Sequence, residues 1–225
     1  MRWGMVGKTK EGAAFYYAQA VTPECNNVAS SPSYPFKSSS VPQQTVSLRH
    51  HPTKSCPATE RVEVKIARTK ENGVTLTYHL HGQIDHLAIP GPQEPGATDG
   101  LWQHTCFEAF IAPAGATSYR EFNFSPSGKW AHYAFSGYRQ REELPHQLPA
   151  PEISVCHFPE YLELQVTLEA SLLPSTDEAT FLQIGLSAVI ESADGNRSFW
   201  AMSHPGPVPD FHDRSTFLLK LPVPK

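Results

Sequence analysis

Acidic, amide, imidazole and aromatic side chains surround one Pro-Ser-Gly turn in residues 119–139, YREFNFSPSGKWAHYAFSGYR. Hydrolysis of a glycosidic bond requires two carboxyl groups about 5–9.5 Å apart in one cavity. Glu108 and Glu121 lie in successive apolar segments and form the best pair for that chemistry. The turn between the segments is long, so the sequence leaves open whether the two carboxyl groups share a face. A glutamate in an apolar strand more often meets solvent or an arginine, so we assign no catalytic residue and keep glycoside hydrolysis as an alternative.

Sugar recognition requires less, because flat aromatic rings and a few polar groups in a largely preformed cleft are sufficient. Residues of both kinds cluster near the expected strand ends and turns. Composition alone favours a core position for any one tryptophan, since a buried indole needs only one hydrogen-bond partner. The leading expectation is a non-catalytic module for a small-molecule ligand, with a saccharide first. The candidate ligand-binding residues are Trp102, His104, Glu108, Asn123, Trp130, Tyr138, Arg139, Trp200, His204, Asp210 and His212.

Eleven histidines raise the question of a metal or haem site. His79 and His81 are two residues apart in an expected strand and therefore point to the same side. Met202, His204 and His212 lie in one Pro-rich segment, and methionine with histidine is a known axial pair for haem iron. No third ligand stands at a diagnostic spacing, so we expect no metal and no cofactor. A haem-binding or redox domain remains an alternative.

Bulk composition narrows the choice of partners. The net charge is −4, with 18 Lys and Arg against 22 Asp and Glu, and no block of like charge is present. We therefore expect no nucleic-acid or membrane partner. No apolar run reaches the length of about 18 residues that a bilayer span requires. Gly, Lys and Glu interrupt residues 1–20 before an apolar signal region can form, so we expect a cytoplasmic location. The oligomeric state stays open.

Short alternating segments dominate the chain after residue 58. Residues 61–68 alternate apolar and charged side chains, and residues 74–82 repeat the pattern after Asn72-Gly73, a strong hairpin signal. About nine or ten short strands with turn signals between them predict an all-β fold, either an antiparallel sandwich or a barrel. Residues 22–58 are rich in Ser, Pro, Asn and Gln and are expected to be disordered.

The hairpin at residues 119–139 is interpreted as a scaffold element. Pro126 and Gly128 suit its turn, and the alternation of the first strand predicts that Phe122 and Phe124 pack inward. Glu121, Asn123 and Ser125 then share the opposite face, which lines a cleft or meets water.

Four segments together resemble the DOMON-like domain related to family-9 carbohydrate-binding modules. They read LWQHTCFEAFI, YREFNFSPSGKWAHYAFSGYR, LELQVTLEASLLP and LQIGLSAVIESADGNRSFWAMSHPGPVPDFHDRSTFLLKL. The similarity implies an antiparallel β-sandwich used as a ligand-binding module over residues 47–225, after a disordered or unmatched tail over residues 1–46. Sugar-binding members of that superfamily clamp a saccharide between two tryptophans, which makes Trp102 and Trp200 the candidates for a clamp. Haem-binding members use methionine and histidine as axial ligands.

Overall fold

The computed structural model describes residues 43–54, 56–144, 148–176 and 179–223. This part of the chain contains thirteen strands, four 3-10 turns and no α-helix. None of its residues forms a helix long and apolar enough to cross a bilayer. The 3-10 turns are Ile84–His86, Leu101–Gln103, Ala170–Leu172 and Arg214–Thr216. The strands are β1 (Gln44–His50), β2 (Thr59–Arg68), β3 (Val74–Gly82), β4 (Gly96–Ala97), β5 (Cys106–Pro113), β6 (Tyr119–Phe124), β7 (Lys129–Gly137), β8 (Gln140–Glu142), β9 (Glu152–His157), β10 (Tyr161–Leu168), β11 (Phe181–Glu191), β12 (Arg197–Ala201) and β13 (Leu219–Pro222).

These strands form one curled, almost entirely antiparallel sheet. Its order is β4-β7-β6-β5-β11-β12-β1-β2-β3-β10-β9, with β13 added to β11 and β8 added to β7. Strand β1 joins the two halves, since it pairs with β2 through residues 44–48 and with β12 through Arg49 and His50. We call β1, β2, β3, β10 and β9 the outer half and the remaining strands the cleft half. The expected all-β class is confirmed.

The first strand differs from the sequence-based expectation. Residues 44–50 lie inside the stretch expected to be disordered, yet they form β1 and pair with both halves of the sheet. The Ser-rich surroundings hid a short alternating segment, QTVSLRH, in which Leu48 is buried. Expectations for residues 1–42 lie outside the described residues.

The main core fills the space between the two halves. The outer half contributes the alternate positions of β2 and β3 that the sequence predicted to share a face, and all of them are buried. From the cleft half, Phe122 and Phe124 of β6 point into the same core, as predicted. The hydroxyl of Tyr78 crosses this core and donates to the backbone oxygen of Glu108 at 2.8 Å. The core thereby fixes the position of the strand that carries Glu108.

Tight turns set the strand registers. Asn72 takes a φ of +65° in the hairpin between β2 and β3, and Gly128 takes +86° between β6 and β7. Both values lie in the left-handed region, which asparagine and glycine tolerate best. The register between β6 and β7 follows, with Glu121 opposite Tyr133 and Asn123 opposite Ala131.

Candidate ligand-binding cleft

Each half of the sheet has one face that packs on the main core and a second face on the other side. The second face of the cleft half carries polar residues in a row. Glu108 of β5 lies directly opposite Asn123 of β6 and Ser187 of β11. Glu121 lies opposite Phe110 of β5 and Tyr133 of β7. Residues directly opposite each other in antiparallel strands point to the same face, so both carboxyl groups face away from the main core.

A cleft of about 730 Å³ opens over this face. Its size suits a small-molecule ligand. Aromatic rings form much of its walls, and three of these residues, Phe110, Tyr133 and Phe135, belong to a second apolar cluster. The lining residues are Asp99, Gly100, Trp102, Gln103, Glu108, Phe110, Glu121, Tyr133, Phe135, Arg139, Arg141, Val189, Arg197, Phe199, Pro209, Phe211 and His212.

We call Glu108, Glu121 and Asn123 the cleft floor, in which Glu108 and Glu121 line the cleft and Asn123 lies behind them. All three are buried, and Asn123 is 0 % exposed. The Asn123 amide donates through Nδ2 to Glu121 Oε1 at 2.9 Å, and the Ser187 hydroxyl donates to Glu108 Oε2 at 3.3 Å. The Oδ1 atom of Asn123 has no hydrogen-bond partner in the structure. The floor therefore presents more acceptor atoms than the protein supplies with donors.

Burial controls the protonation of the floor. It raises the pKa of Glu108 well above its ordinary value, and the nearby charge of Glu121 raises it further. Burial also raises the pKa of Glu121 to about 7, although the Asn123 hydrogen bond and the charges of Arg139 and Arg141 act in the opposite direction. Two neighbouring buried carboxyl groups disfavour double ionisation, so the pair retains a proton at neutral pH, with Glu108 as the more weakly acidic member.

A hydrogen-bonded chain supports Glu121 from the side. The Arg139 backbone N–H donates to the Tyr119 hydroxyl at 3.1 Å, and that hydroxyl lies 2.8 Å from His212 Nδ1. His212 Nε2 lies 3.6 Å from Glu121 Oε2. Burial lowers the pKa of His212 to about 4, so its contact with Glu121 is not an ion pair near neutrality. A neutral imidazole that accepts from Tyr119 carries its proton on Nε2, which directs it toward Glu121.

Charged groups at the rim pair mainly with each other. Arg139 Nη2 lies 2.9 Å from Asp210 Oδ1, and the Tyr138 hydroxyl donates to Asp210 Oδ2 at 2.6 Å. Arg141 lies 4.3 Å above the centre of the Tyr133 ring. The Tyr133 hydroxyl donates to Asp99 Oδ1 at 2.7 Å, and Arg141 lies 3.7 Å from the same oxygen.

Trp102 is the exposed aromatic residue of the cleft. It lies in the 3-10 turn Leu101–Gln103, after Gly100, whose φ is +77°. Half of its surface is exposed (50 %). The structure thus places this candidate where a ligand could stack on its indole.

Trp200 does not complete a clamp with Trp102. It is 5 % exposed, belongs to the main core, and donates through Nε1 to Ser198 Oγ at 3.0 Å. Residues alternate along β12, so Trp200 and Phe199 point to opposite faces, and Phe199 is the one that lines the cleft. The expectation that Trp200 lies at a ligand surface is corrected by its position.

Other predicted residues also lie apart from the cleft. Trp130 packs against the main core and borders a smaller recess of about 370 Å³ beside β7. His104 lies 2.8 Å from Glu191, on the exposed surface. His204 contacts the Arg49 backbone oxygen at 2.8 Å.

The proposed haem ligands have separate surroundings. Met202 packs against the main core, His204 contacts the His51 ring, and His212 lies in the cleft wall. Within the described ranges, no three His, Cys, Asp or Glu residues are grouped so that they could hold a metal ion.

Several lining residues escaped the sequence analysis, although a signal for them was present. Alternate residues of a strand share a face, so Phe110 lies on the same face of β5 as Glu108. The residues paired across the neighbouring hairpins then place Tyr133, Phe135 and Phe199 on that face too. The loop residues have no such signal, because their positions depend on long connections; they are Asp99, Pro209 and Phe211.

Comparison with solved structures identifies a fold relative. The chain is similar in structure to a protein from Bacteroides uniformis that is proposed to bind carbohydrate, with a TM-score of 0.54 and 15 % sequence identity. The match covers 79 % of this chain and 84 % of that one. No protein-family model and no curated protein matches the sequence. At this identity the similarity shows a shared all-β fold.

Proposed function

We propose that the cleft binds a saccharide without catalysing a reaction, as in the DOMON-like and family-9 carbohydrate-binding modules that the sequence resembles. The observation that carries this proposal is the half-exposed Trp102 indole at the opening of a cleft that Glu108 and Glu121 also line. A flat ring provides a stacking surface for a pyranose, and the floor acceptors take up hydrogen bonds from its hydroxyl groups.

Two further observations support a saccharide. The cleft is lined by aromatic walls with few polar groups at defined positions, which is typical of small-molecule sites. The structural relative from Bacteroides uniformis, proposed to bind carbohydrate, shares the fold over most of both chains. The two-sheet sandwich of the resembled family is part of the same proposal.

Calorimetric titration with mono- and disaccharides tests the proposal. We expect at least one sugar to bind, and Trp102→Ala to weaken its binding by about tenfold or more, the effect of removing a central aromatic contact. Leu218→Ala is the matched control, because Leu218 is also exposed (55 %) but does not line the cleft. Absence of binding at millimolar concentration across the panel would exclude saccharide recognition.

Glycoside hydrolysis is the second candidate function. The observation in its favour is that Glu108 and Glu121 share the cleft and both have a raised pKa, since a catalytic acid needs such a shift. Glu108→Gln should then abolish release of reducing sugar from an oligosaccharide that the wild type cleaves. Full turnover in that variant would remove this candidate.

A further inference from the structure

The cleft floor has few donors. Its polar atoms are two carboxyl groups and one amide oxygen. The protein donors that reach them are Asn123 Nδ2, Ser187 Oγ and the single proton that the carboxyl pair retains at neutral pH. His212 Nε2 is more distant, at 3.6 Å from Glu121. A ligand group that reaches the floor therefore binds more favourably when it carries more hydrogen-bond donors.

The orphan acceptor gives independent support. Asn123 is completely buried, its orientation is fixed by donation to Glu121, and its Oδ1 has no partner. This side chain lies on the cleft-facing row, directly opposite Glu108. A buried acceptor without a donor costs about 1–3 kcal/mol, so Oδ1 marks an unmet need for a donor directly behind the lining residues Glu108 and Glu121.

Negative charge at the floor is not neutralised by contact. In the described part of the chain, neither carboxyl group forms an ion pair with a lysine or an arginine. Arg139 pairs with Asp210, and Arg141 lies on the Tyr133 ring and near Asp99. His212 is neutral near pH 7. A ligand cation between the two carboxylates would let both ionise together, because an opposite charge favours the charged form.

We infer that the inner end of the cleft binds an ammonium group, so that the saccharide taken by this site is an amino sugar, an inference that rests on the proposed saccharide-binding function. An ammonium offers three donors and no acceptor, which matches the acceptor oxygens of the two carboxylates that line the cleft. The rings of Phe110 and Phe199 also line the cleft, and aromatic rings attract cations. A neutral hydroxyl offers one donor and no charge.

Calorimetry on the full chain at pH 7 tests the inference with glucosamine, glucose and N-acetylglucosamine. We expect glucosamine to bind about tenfold or more tightly than either neutral sugar, because charge-assisted hydrogen bonds are the stronger kind. Equal affinity for glucosamine and glucose would overturn the ammonium site and leave saccharide binding standing. Tighter binding of glucuronate would also overturn it, since the rim arginines would then select the ligand.

Methylammonium separates the two proposals. If methylammonium binds and no sugar does, the ammonium site stands and the saccharide function fails. If neither methylammonium nor any sugar binds, both fail. Each outcome is read on the wild-type protein and does not depend on the folding of a variant.

Variants then locate the site. Glu108→Gln and Glu121→Gln should each reduce the preference for glucosamine over glucose to less than about twofold, since each removes one carboxylate from the cation. Glu163→Gln is the matched control, because Glu163 lies on β10 in the outer half and pairs with His79. Preserved preference in both floor variants would contradict the inference. Circular dichroism verifies that the variants remain folded.

Discussion

The outer half and the cleft half of the sheet treat their second faces in opposite ways. In β3, buried and partly exposed positions alternate along the whole strand. In β5, seven consecutive residues are buried, although one of them is Glu108. The outer half therefore uses one face for the core and gives the other to solvent. The cleft half buries both of its faces. On the face away from the main core, the buried residues include polar groups that a stable core would not contain.

Charged groups on the two second faces also differ. On the outer half, Glu63 lies near Arg61 and His81, and Glu163 contacts His79 at 2.9 Å, all with partial access to water. On the cleft half, Glu108 and Glu121 are buried side by side. Burying carboxyl groups without cations costs folding free energy. We interpret this cost as one that ligand binding offsets, which is why the comparison points to the cleft as the functional surface.

The largest expected effect separates the two faces of the cleft half itself. Phe122→Ala removes a ring that is 1 % exposed and stacks on His132 at 4.3 Å, so we expect a loss of about 3–5 kcal/mol in unfolding free energy. Phe199→Ala removes a partly buried ring from the cleft wall, and we expect a loss below about 2 kcal/mol together with weaker sugar binding. Urea denaturation measures both losses. Equal losses would show that the cleft wall is a second core.

The next effect concerns Glu121 and pH. Its pKa in the folded protein is raised from 4.5 to about 7. The folded state therefore holds this proton more tightly, so the associated stability is complete below pH 4.5 and is lost as pH rises toward 7 and above. The full loss corresponds to about 3 kcal/mol. Glu121→Gln should remove this loss, so that the variant becomes more stable than the wild type at pH 8.

Thermal unfolding between pH 4.5 and 8 provides the measurement. Glu163→Gln, on the outer half, should follow the wild-type curve across this range. A Glu121→Gln curve that falls with pH as steeply as the wild type would mean that Glu121 ionises freely in the fold, and the floor would then be more hydrated than its burial indicates.

The sequence predicted the strands better than it predicted the site. Alternation was sufficient for β2 and β3, since each has one buried face and local spacing encodes it. Alternation also separated Phe122 from Glu121, because neighbours in a strand point to opposite sides. It could not show that Glu108 and Glu121 share a cleft, because that depends on the register across the loop between β5 and β6.

The tryptophans illustrate the same limit. Trp102 and Trp200 looked alike in sequence, as aromatic residues near turns. One lies in a 3-10 turn at the cleft opening, and the other lies on the core side of β12. The assignment of Trp200 was wrong because the sequence analysis did not align β12 with the neighbouring strand β11. That alignment places Phe199, and not Trp200, on the cleft face. Rim contacts such as Arg139 with Asp210 join residues 71 positions apart, and local sequence carries no information about them.

A smaller effect is expected from His132, the polar residue on the core side of the cleft half. Both of its ring nitrogens lack partners, and burial lowers its pKa to about 3. The folded state requires the neutral ring, so stability is complete above the ordinary histidine pKa and is lost as pH falls below it. At pH 5 this loss is about 2 kcal/mol. His132→Phe should remove this loss and keep the stacking on Phe122, so the stability of the variant relative to the wild type should be about 2 kcal/mol greater at pH 5 than at pH 7.5. An unchanged acid limb of the stability profile would indicate that His132 finds a partner in solution.

The smallest stability effects are expected for two arginines, one at the cleft rim and one on the outer half. Arg139→Ala breaks the contact with Asp210, and Arg61→Ala breaks the contact with Glu63. Both arginines are about half exposed, so each substitution should change the unfolding free energy by less than about 1 kcal/mol.

Ligand binding should distinguish the two variants. The Arg139 side chain donates to Tyr138 and Asp210 at the cleft opening, whereas Arg61 lies on the opposite half. We expect Arg139→Ala to change the sugar dissociation constant several-fold and Arg61→Ala to leave it unchanged in the same titration. Equal behaviour of the two variants would remove the rim from the binding site and confine recognition to Trp102 and the floor.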